Sequence, residues 1–325
     1  MEIRPFRDDD LGAAAELLAD RHRRHRRLEP LLPERYERVD EARTAVEGAW
    51  GKEGASGVVA VRDGRAAGYL IGAPDDESAW GPNDWIDVPG HAVAEPELVR
   101  DLYAAHAEHP VAEGRTRHYV LVPAAEPELL GAWYALGFGQ QQGYGIREVR
   151  DTAWPSRVRD AVAADVEAVL PLTLAISRHH ARSPVFSDNA ARRVEGYEAS
   201  LEAVRAQLQD DLEADAIATL VAEVDGRVVG FLEACAAELA GDGVDGHATL
   251  ARPDNACFLA FAATDPEARG LGTGVELTNA AFAWAHTAGY STMVTDWRVP
   301  NLLASRFWPR RGFRTTFLRL YRSIP

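Results

Sequence analysis

The glycines in the run Ala268-Arg269-Gly270-Leu271-Gly272-Thr273-Gly274-Val275 are spaced to hold an anion on main-chain N–H groups. Without a Cβ, glycine lets the backbone close on a phosphate, a helix N-terminus adds partial positive charge, and Arg269 adds a formal one. The run is neither the nucleotide-triphosphate loop, which needs Gly-Lys-Ser/Thr, nor the dinucleotide pattern of three spaced glycines. The flanking elements fit a cradle. Cys257 to Ala263 is short, apolar and closed by Thr264-Asp265-Pro266, which predicts a buried strand ending at a turn. Val275 to Ala288 holds no glycine or proline and stops at Gly289, which predicts a helix with a glycine just past its end. Ser291 to Thr295 predicts another strand, followed by Asp296-Trp297-Arg298-Val299-Pro300-Asn301-Leu302-Leu303-Ala304 and, further on, Phe307-Trp308-Pro309-Arg310-Arg311-Gly312-Phe313.

Here the chain resembles the GCN5-related N-acetyltransferase (GNAT) superfamily, in which an Arg/Gln-x-x-Gly-x-Gly/Ala turn binds the pyrophosphate of acetyl-CoA and a later strand leads into Asn-x-x-Ala, an aromatic residue and Gly-Phe. Arg269, Gly272 and Gly274 match the first motif, and Asn301, Ala304, Gly312 and Phe313 the second. The resemblance implies acetyl-CoA as cosubstrate. Its contacts would be Arg269, Gly270, Leu271, Gly272, Thr273 and Gly274 at the pyrophosphate, Ala262, Ala263 and Thr264 along the pantetheine arm, and Asn301 and Trp308 beyond. An N–H of that strand would polarise the thioester carbonyl.

By the same resemblance Asp296 is the candidate general base, since it lies five residues before Asn301, where some relatives carry a glutamate. Pairing with Arg298, or capping the helix that begins near Asn301, is the bland alternative. Glu233 is the second candidate, as a base or as a group that binds the ammonium; an outward-facing surface carboxylate is equally open to it. Trp308 stands where many family members carry the tyrosine that protonates the leaving thiolate. An indole N–H can only donate a hydrogen bond, so no general acid is assigned. His179 and His180, adjacent on a predicted helix, read as surface or core histidines.

A chain of 325 residues with 46% hydrophobic and 26% charged residues has room for two globular domains. No apolar run reaches the roughly 18 residues of a membrane helix, and Met1 to Arg7 lacks a signal-peptide core, so the expectation is a cytoplasmic protein without membrane contact. A net charge of −15 argues against nucleic acid as a partner. Cys235 and Cys257 have no metal-ligand spacing and read as small buried hydrophobes; no metal is expected. The cluster Arg21-His22-Arg23-Arg24-His25-Arg26-Arg27 reads as a solvated helical face or a salt-bridge patch.

The chain also repeats itself. Val59-Ala60-Val61-Arg62-Asp63-Gly64-Arg65-Ala66-Ala67-Gly68-Tyr69-Leu70 parallels Val221-Ala222-Glu223-Val224-Asp225-Gly226-Arg227-Val228-Val229-Gly230-Phe231-Leu232, each predicting an Asp-Gly hairpin. Trp133-x-x-x-Gly137-Phe138 echoes Trp308-x-x-x-Gly312-Phe313. The prediction is a mixed α/β fold of two tandem GNAT-like domains, 1–150 and 151–325, an arrangement that resembles the mycothiol synthases. The first copy is degenerate: His91 to Glu113, where its phosphate turn should fall, contains no glycine. Packing on the second copy, walling an acceptor cleft and forming a homodimer are the roles open to it.

In the second copy, helices are expected over Ala164–Arg182 and Asn189–Gln209, with Ser187 or Asp188 as N-cap, and strands near 217–224, 227–237 and 257–264. The expected activity is acetyl-CoA-dependent N-acetylation of a primary amine on a small molecule. Acetylation of protein N-termini or lysines is the second reading, and a non-catalytic acyl-CoA-binding regulator the third.

Overall fold

The computed structural model describes residues 1–75, 80–214, 216–240 and 250–325. In chain order the first elements are β1 (Glu2–Pro5), α1 (Leu11–Leu28), α2 (Val39–Trp50), β2 (Ser56–Arg62), β3 (Arg65–Gly72), β4 (Asn83–Ile86), β5 (His91–Val93), α3 (Leu98–Ala112), β6 (Arg117–Pro123), α4 (Pro127–Ala135) and β7 (Gly139–Glu148). Then follow β8 (Val158–Asp160), α5 (Val166–His180), α6 (Asp188–Glu195), α7 (Tyr197–Glu213), β9 (Ile217–Val224), β10 (Arg227–Ala236), β11 (Ala256–Thr264), α8 (Thr273–Thr287), β12 (Thr292–Arg298), α9 (Leu302–Arg310) and β13 (Arg314–Ser323).

These elements form two compact units. Unit 1 is Met1–Tyr144 with the last strand, Thr315–Pro325, and a short piece ending at Pro253; unit 2 is the remainder from Gly145 through Arg314. The division falls inside β7. Unit 1 has an antiparallel sheet β1-β2-β3-β5, and a second group in which β6 pairs with β4 on one side and β13 on the other. Unit 2 has the order β12-β11-β10-β9-β8, with the end of β7 beside β12. In this sheet β11 and β12 are parallel, while β8 to β11 are antiparallel.

One face of the unit 2 sheet is covered by α8 and α9, which bury Leu277, Ala280, Phe282 and Trp308 against Leu232, Leu259, Met293 and Trp297. The other face is covered by α5 and α7, through Val166, Val169, Leu170 and Leu208 on Val221, Phe231 and Ala263. Cys257 is fully buried, and burial pushes its thiol up to about 12, so it packs as an apolar residue.

Both units repeat the same local devices. Each hairpin turns on a left-handed Asp-Gly pair, Asp63 and Gly64 at φ 51° and 75°, Asp225 and Gly226 at 51° and 74°. A Cβ on Gly68 would lie 2.8 Å from Val93, and one on Gly230 would lie 2.8 Å from Leu277, because a neighbouring element comes close at that point of each hairpin. Trp133 and Phe138 meet edge to face at 5.0 Å, Trp308 and Phe313 at 5.6 Å. One echo has too little sequence signal to be found by eye. Arg4 makes a bidentate pair with Asp10 at 2.7 and 2.8 Å, and Arg159 pairs with Asp165 at 2.7 and 2.9 Å. Each aspartate also accepts a backbone N–H three residues before it, from Arg7 and from Val162, and so fixes the turn into its first helix.

Two expectations need correction. The helix foreseen over 189–209 is broken at Gly196 into α6 and α7, with Ser187 accepting from the Ala190 N–H as N-cap. The basic cluster of α1 is not simply a solvated face: Arg21, His22 and His25 are each 2% exposed, because this side of the helix faces the core of unit 1. Their polar atoms are served in part by main-chain carbonyls, with Arg21 donating to His91 and Val88 and His22 bonded to Pro33. The outward Arg23 and Arg26 pair with Asp20, Glu34 and Glu37.

Burial holds His22 down to about 4, and His25 and His91 down to about 3. Their folded values lie below the unfolded value of about 6.5, so on acidification the unfolded chain takes up protons that the folded one refuses. Unit 1 should therefore lose stability from about pH 6.5 downward, by about 1.4 kcal/mol per pH unit for each histidine. Urea titrations between pH 7 and pH 5 check this, and a midpoint that does not move across that window refutes it.

Candidate active site

Strands β11 and β12 are in register only from Ala256–Leu259 on one and Thr292–Thr295 on the other. Beyond that point they part, while β11 stays paired with β10 as far as Gly230 and Thr264. The register of that pair slips: Glu233 faces Phe261 but Ala234 faces Leu259, which leaves Ala260 as a bulge outside both ladders and exposed. From Ala260 to Thr264 one edge of β11 is therefore unpaired in mid-sheet. Main-chain groups so placed need partners. Ala262, Ala263 and Thr264 lie on this edge, and their small side chains leave it accessible.

At the end of β11 the chain turns into α8 through Gly270 and Gly272, at φ 85° and 83°, where an L side chain would be strained. Gly272 is the helix N-cap and carries no side chain to serve the first-turn N–H groups. Among the described residues the N–H groups of Gly270 to Gly274 make no hydrogen bond, and Arg269 and Leu271 are exposed. Thr273 is buried, with its hydroxyl unpartnered. N–H groups left open at a helix start are suited to an anion.

Arg157, which sequence reasoning missed, braces this turn. It donates to the Leu271 carbonyl at 3.0 Å and grips both oxygens of Glu276, in the first turn of α8, at 2.7 and 2.9 Å. The pair neutralises a carboxylate that would otherwise repel an anion at this helix end. Arg157 and Glu276 are far apart in sequence and form no local motif, so nothing short-range could have revealed them.

On the face covered by α5 and α7, two carboxylates flank the parting of the strands. Glu233 lies two residues beyond Phe231, which is buried under α5 and α7, and so points to the same face. Its Oε1 is buried and unpartnered; burial, with Asp211 adding to it, pushes the carboxyl up to about 7. Asp296 follows Thr295, the last residue of β12 paired with β11, and is half-buried. Its neighbour Trp297 belongs to the core under α8, so by strand alternation Asp296 faces the α5 side.

Asn301 is the N-cap of α9, its Oδ1 accepting from the N–H groups of Leu303 and Ala304. It also bonds both His179 and His180, each at 3.0 Å. Adjacent helical residues diverge by about 100°, yet here both rings flank one amide because they end α5 beside the start of α9. Trp308 is 7% exposed, packed edge-on against Phe307 and Phe313 in the core.

Unit 1 closes the equivalent places with its own groups. Gly68 faces Val93 as Gly230 faces Thr264, so His91, Ala92 and Val93 stand where Ala262, Ala263 and Thr264 do. The buried Arg21 occupies the carbonyls of His91 and Val88, and the His91 ring bonds the Leu121 carbonyl at 2.8 Å. The first N–H groups of α3 donate to Glu95, Pro96 and Glu97.

Residues 184–313 match the family model described as the acetyltransferase (GNAT) family. The matched stretch contains the parted strands, the glycine turn and the Asn301 cap, so the chain carries a GNAT acetyltransferase domain. Among solved structures, it is similar over 99% of its length to 95% of a GCN5-related N-acetyltransferase from Sphaerobacter thermophilus, with TM-score 0.56 and 14% identity. A GCN5-related glucosamine N-acetyltransferase region in a fungal multi-domain β-N-acetylglucosaminidase aligns with 98% of this chain and 38% of that one, with TM-score 0.54 and 15% identity. A tandem GNAT protein from the clavulanic acid biosynthesis pathway aligns over 99% of this chain and 98% of its own, with TM-score 0.46 and 16% identity. At such identities the likeness is one of fold. No protein with a curated description matches the sequence.

Replacing Gly272 by Asp should abolish measurable coenzyme A binding, because a Cβ is strained at that φ and a carboxylate opposes phosphate. Calorimetry reads this directly; undiminished affinity removes the turn from the site.

Proposed function

We propose that the chain transfers an acetyl group from acetyl-CoA to a primary amine on a small molecule, with residues 151–325 as the catalytic domain and 1–150 as a degenerate copy without a coenzyme-binding turn. The observation that carries this reading is the free edge of β11 leading into an unused nest of N–H groups, with an unpaired, near-neutral carboxyl beside the bulge. The turn from Arg269 to Gly274 would hold the pyrophosphate, and Ala262, Ala263 and Thr264 the pantetheine amides. The bound coenzyme supplies the activated acetyl group. Ala260, outside both ladders, would offer its N–H to the charge that develops on the thioester oxygen. Asn301 serves as cap and anchor rather than as a direct contact, and Trp308 as packing under α9.

A general base works best with a pKa near the operating pH. Glu233 meets that condition, and Asp296 is second in line from the other wall. The depth of Glu233 favours an unhindered amine that can be threaded to it, which supports a small molecule over a folded protein surface. The net charge of −15 supports a cationic acceptor and disfavours nucleic acid. Among the described residues no helix is long and apolar enough to cross a membrane; a cytoplasmic setting and a possible homodimer complete the reading.

Purified protein with acetyl-CoA, a thiol-reactive dye and a panel of amines tests the activity; binding of acetyl-CoA without turnover of any amine points to the acyl-CoA-binding regulator instead. The rate should fall as pH drops below about 7, where the Glu233 carboxyl takes up its proton. Glu233→Gln should lower kcat/KM by about 10²–10⁴-fold, erase that acid limb and leave acetyl-CoA affinity nearly intact. The raised carboxyl is stabilising only below its unfolded value and costs stability as pH rises through about 7, so the same variant should be more stable at pH 8, by up to about 3 kcal/mol. If Asp296→Asn loses the rate and Glu233→Gln does not, the base is Asp296.

A further inference from the structure

The N-cap of α9 fixes more than a helix end. Asn301 Oδ1 accepts the N–H groups of Leu303 and Ala304 at 3.1 and 3.3 Å, which orients the amide without ambiguity: Nδ2 must point the other way. Nδ2 lies 3.0 Å from His180 Nε2 and can only donate, so that nitrogen carries the lone pair and His180 holds its hydrogen on Nδ1. Oδ1 lies 3.0 Å from His179 Nε2 and can only accept, so that nitrogen carries the hydrogen and the lone pair of His179 is on Nδ1. One cap thus sets both tautomers.

The consequences for protons differ. Protonating His180 would put a hydrogen on the nitrogen that accepts from Asn301 and break the clasp; burial, then Arg298 and His179, hold this ring down to about 4. Protonating His179 on Nδ1 leaves its bond to Asn301 intact. Among the described residues nothing else is bonded to His179 Nδ1.

The clasp follows the parting of the strands in sequence, since Asn301 comes six residues after Thr295, the last residue of β12 paired with β11. His179 and His180 end α5, which covers the β10 and β11 face, while Asn301 sits three residues past the end of β12. It joins a helix on the Glu233 face to the helix that follows the other wall. Trp308, at the position from which a tyrosine would serve, is buried in the core and has no proton to give.

We propose that His179 is the proton-transfer group for the leaving thiolate, receiving a proton from the attacking nitrogen on Nδ1 and handing it to sulfur. This rests on the acetyl-transfer reading. An ammonium acceptor first loses one proton to Glu233 and from there to solvent. The neutral nitrogen forms its bond to the thioester carbon and the carbon–sulfur bond breaks. The second nitrogen-bound proton passes to His179 Nδ1 and on to the sulfur, giving the amide, the free thiol and one released proton. His180 and Asn301 are positioning residues that keep the His179 ring in register.

Nitrogen-15 long-range spectra of the labelled full chain test the geometry without turnover. They should show His179 with hydrogen on Nε2 and His180 with hydrogen on Nδ1, and Asn301→Ala should scramble both; the opposite tautomer at His179 overturns the proposal. For catalysis, His179→Gln retains an N–H donor for Asn301 but no base. With the best acceptor among spermidine, glucosamine, tyramine and lysinamide, it should lose about 10²-fold in kcat with unchanged KM for acetyl-CoA, and added imidazole should restore part of the rate of His179→Ala. Full kcat in His179→Gln with an active parent overturns the relay and leaves acetyl transfer standing. A parent inactive on every amine, with the tautomers as expected, overturns acetyl transfer and the relay together.

Discussion

Unit 2 depends on one interruption: two parallel strands that hold together over Ala256–Leu259 and Thr292–Thr295 and then separate. A strand edge in mid-sheet is a row of unmet donors and acceptors. The bulge at Ala260 changes which side chains face which layer, so that Leu259 and Ala262 both pack towards α8 while Phe261 and Ala263 pack towards α5. The free edge, the glycine turn that follows it and the carboxylates on its α5 side are consequences of where the pairing stops. Gly230 carries the same constraint one strand away, since α8 can approach closely enough to aim its N-terminus along the edge only where no Cβ intervenes.

Unit 1 faces the same constraint and resolves it with its own side chains. It keeps the hairpin, the Arg–Asp lock and the Trp–Phe contact. In place of an open edge, however, it spends a buried guanidinium on the carbonyls of His91 and Val88, and an imidazole on Leu121. The fit is imperfect: Arg21 Nε and His91 Nδ1 are left without partners. Buried polar atoms of that kind cost stability. Unit 1 thus meets with its own side chains the main-chain groups that unit 2 leaves open among the described residues.

What sequence could reveal was whatever a short stretch decides by itself. The turn at Gly270 and Gly272, the Gly289 stop at φ 82° and the Ser187 cap each depend on a few neighbouring residues, and their positions agree with expectation; the helix near Asn301 starts where expected, but its cap is Asn301 itself and not Asp296. Strands β9 and β10 end within a residue of the expected bounds, for the same reason. The misreadings have a different origin. The basic run in α1 looks solvated because charge was judged without knowing which helical face the core would claim; the core claimed Arg21, His22 and His25. His179 and His180 look unrelated by helical angle, and only the meeting of α5 with α9 brings them onto one amide. Arg157 on Glu276 is likewise a product of tertiary assembly.

Glu233 shows how energetics can mark a site that geometry alone leaves ambiguous. A surface carboxylate would keep its ordinary pKa at no cost; this one is half-buried beside a bulge, with one oxygen buried and unmet and Asp211 raising its pKa further. Burying a carboxyl that no cation among the described residues relieves is destabilising, and the penalty falls on the ionised form. Nothing in the packing requires it, since the matching position of the first hairpin is Ile71, which is buried and apolar. A fold that can close this position with isoleucine in one copy and carries an unpaired carboxyl in the other retains a group whose proton is loosely held at neutral pH. That group lies beside the strand edge that has no partner among the described residues.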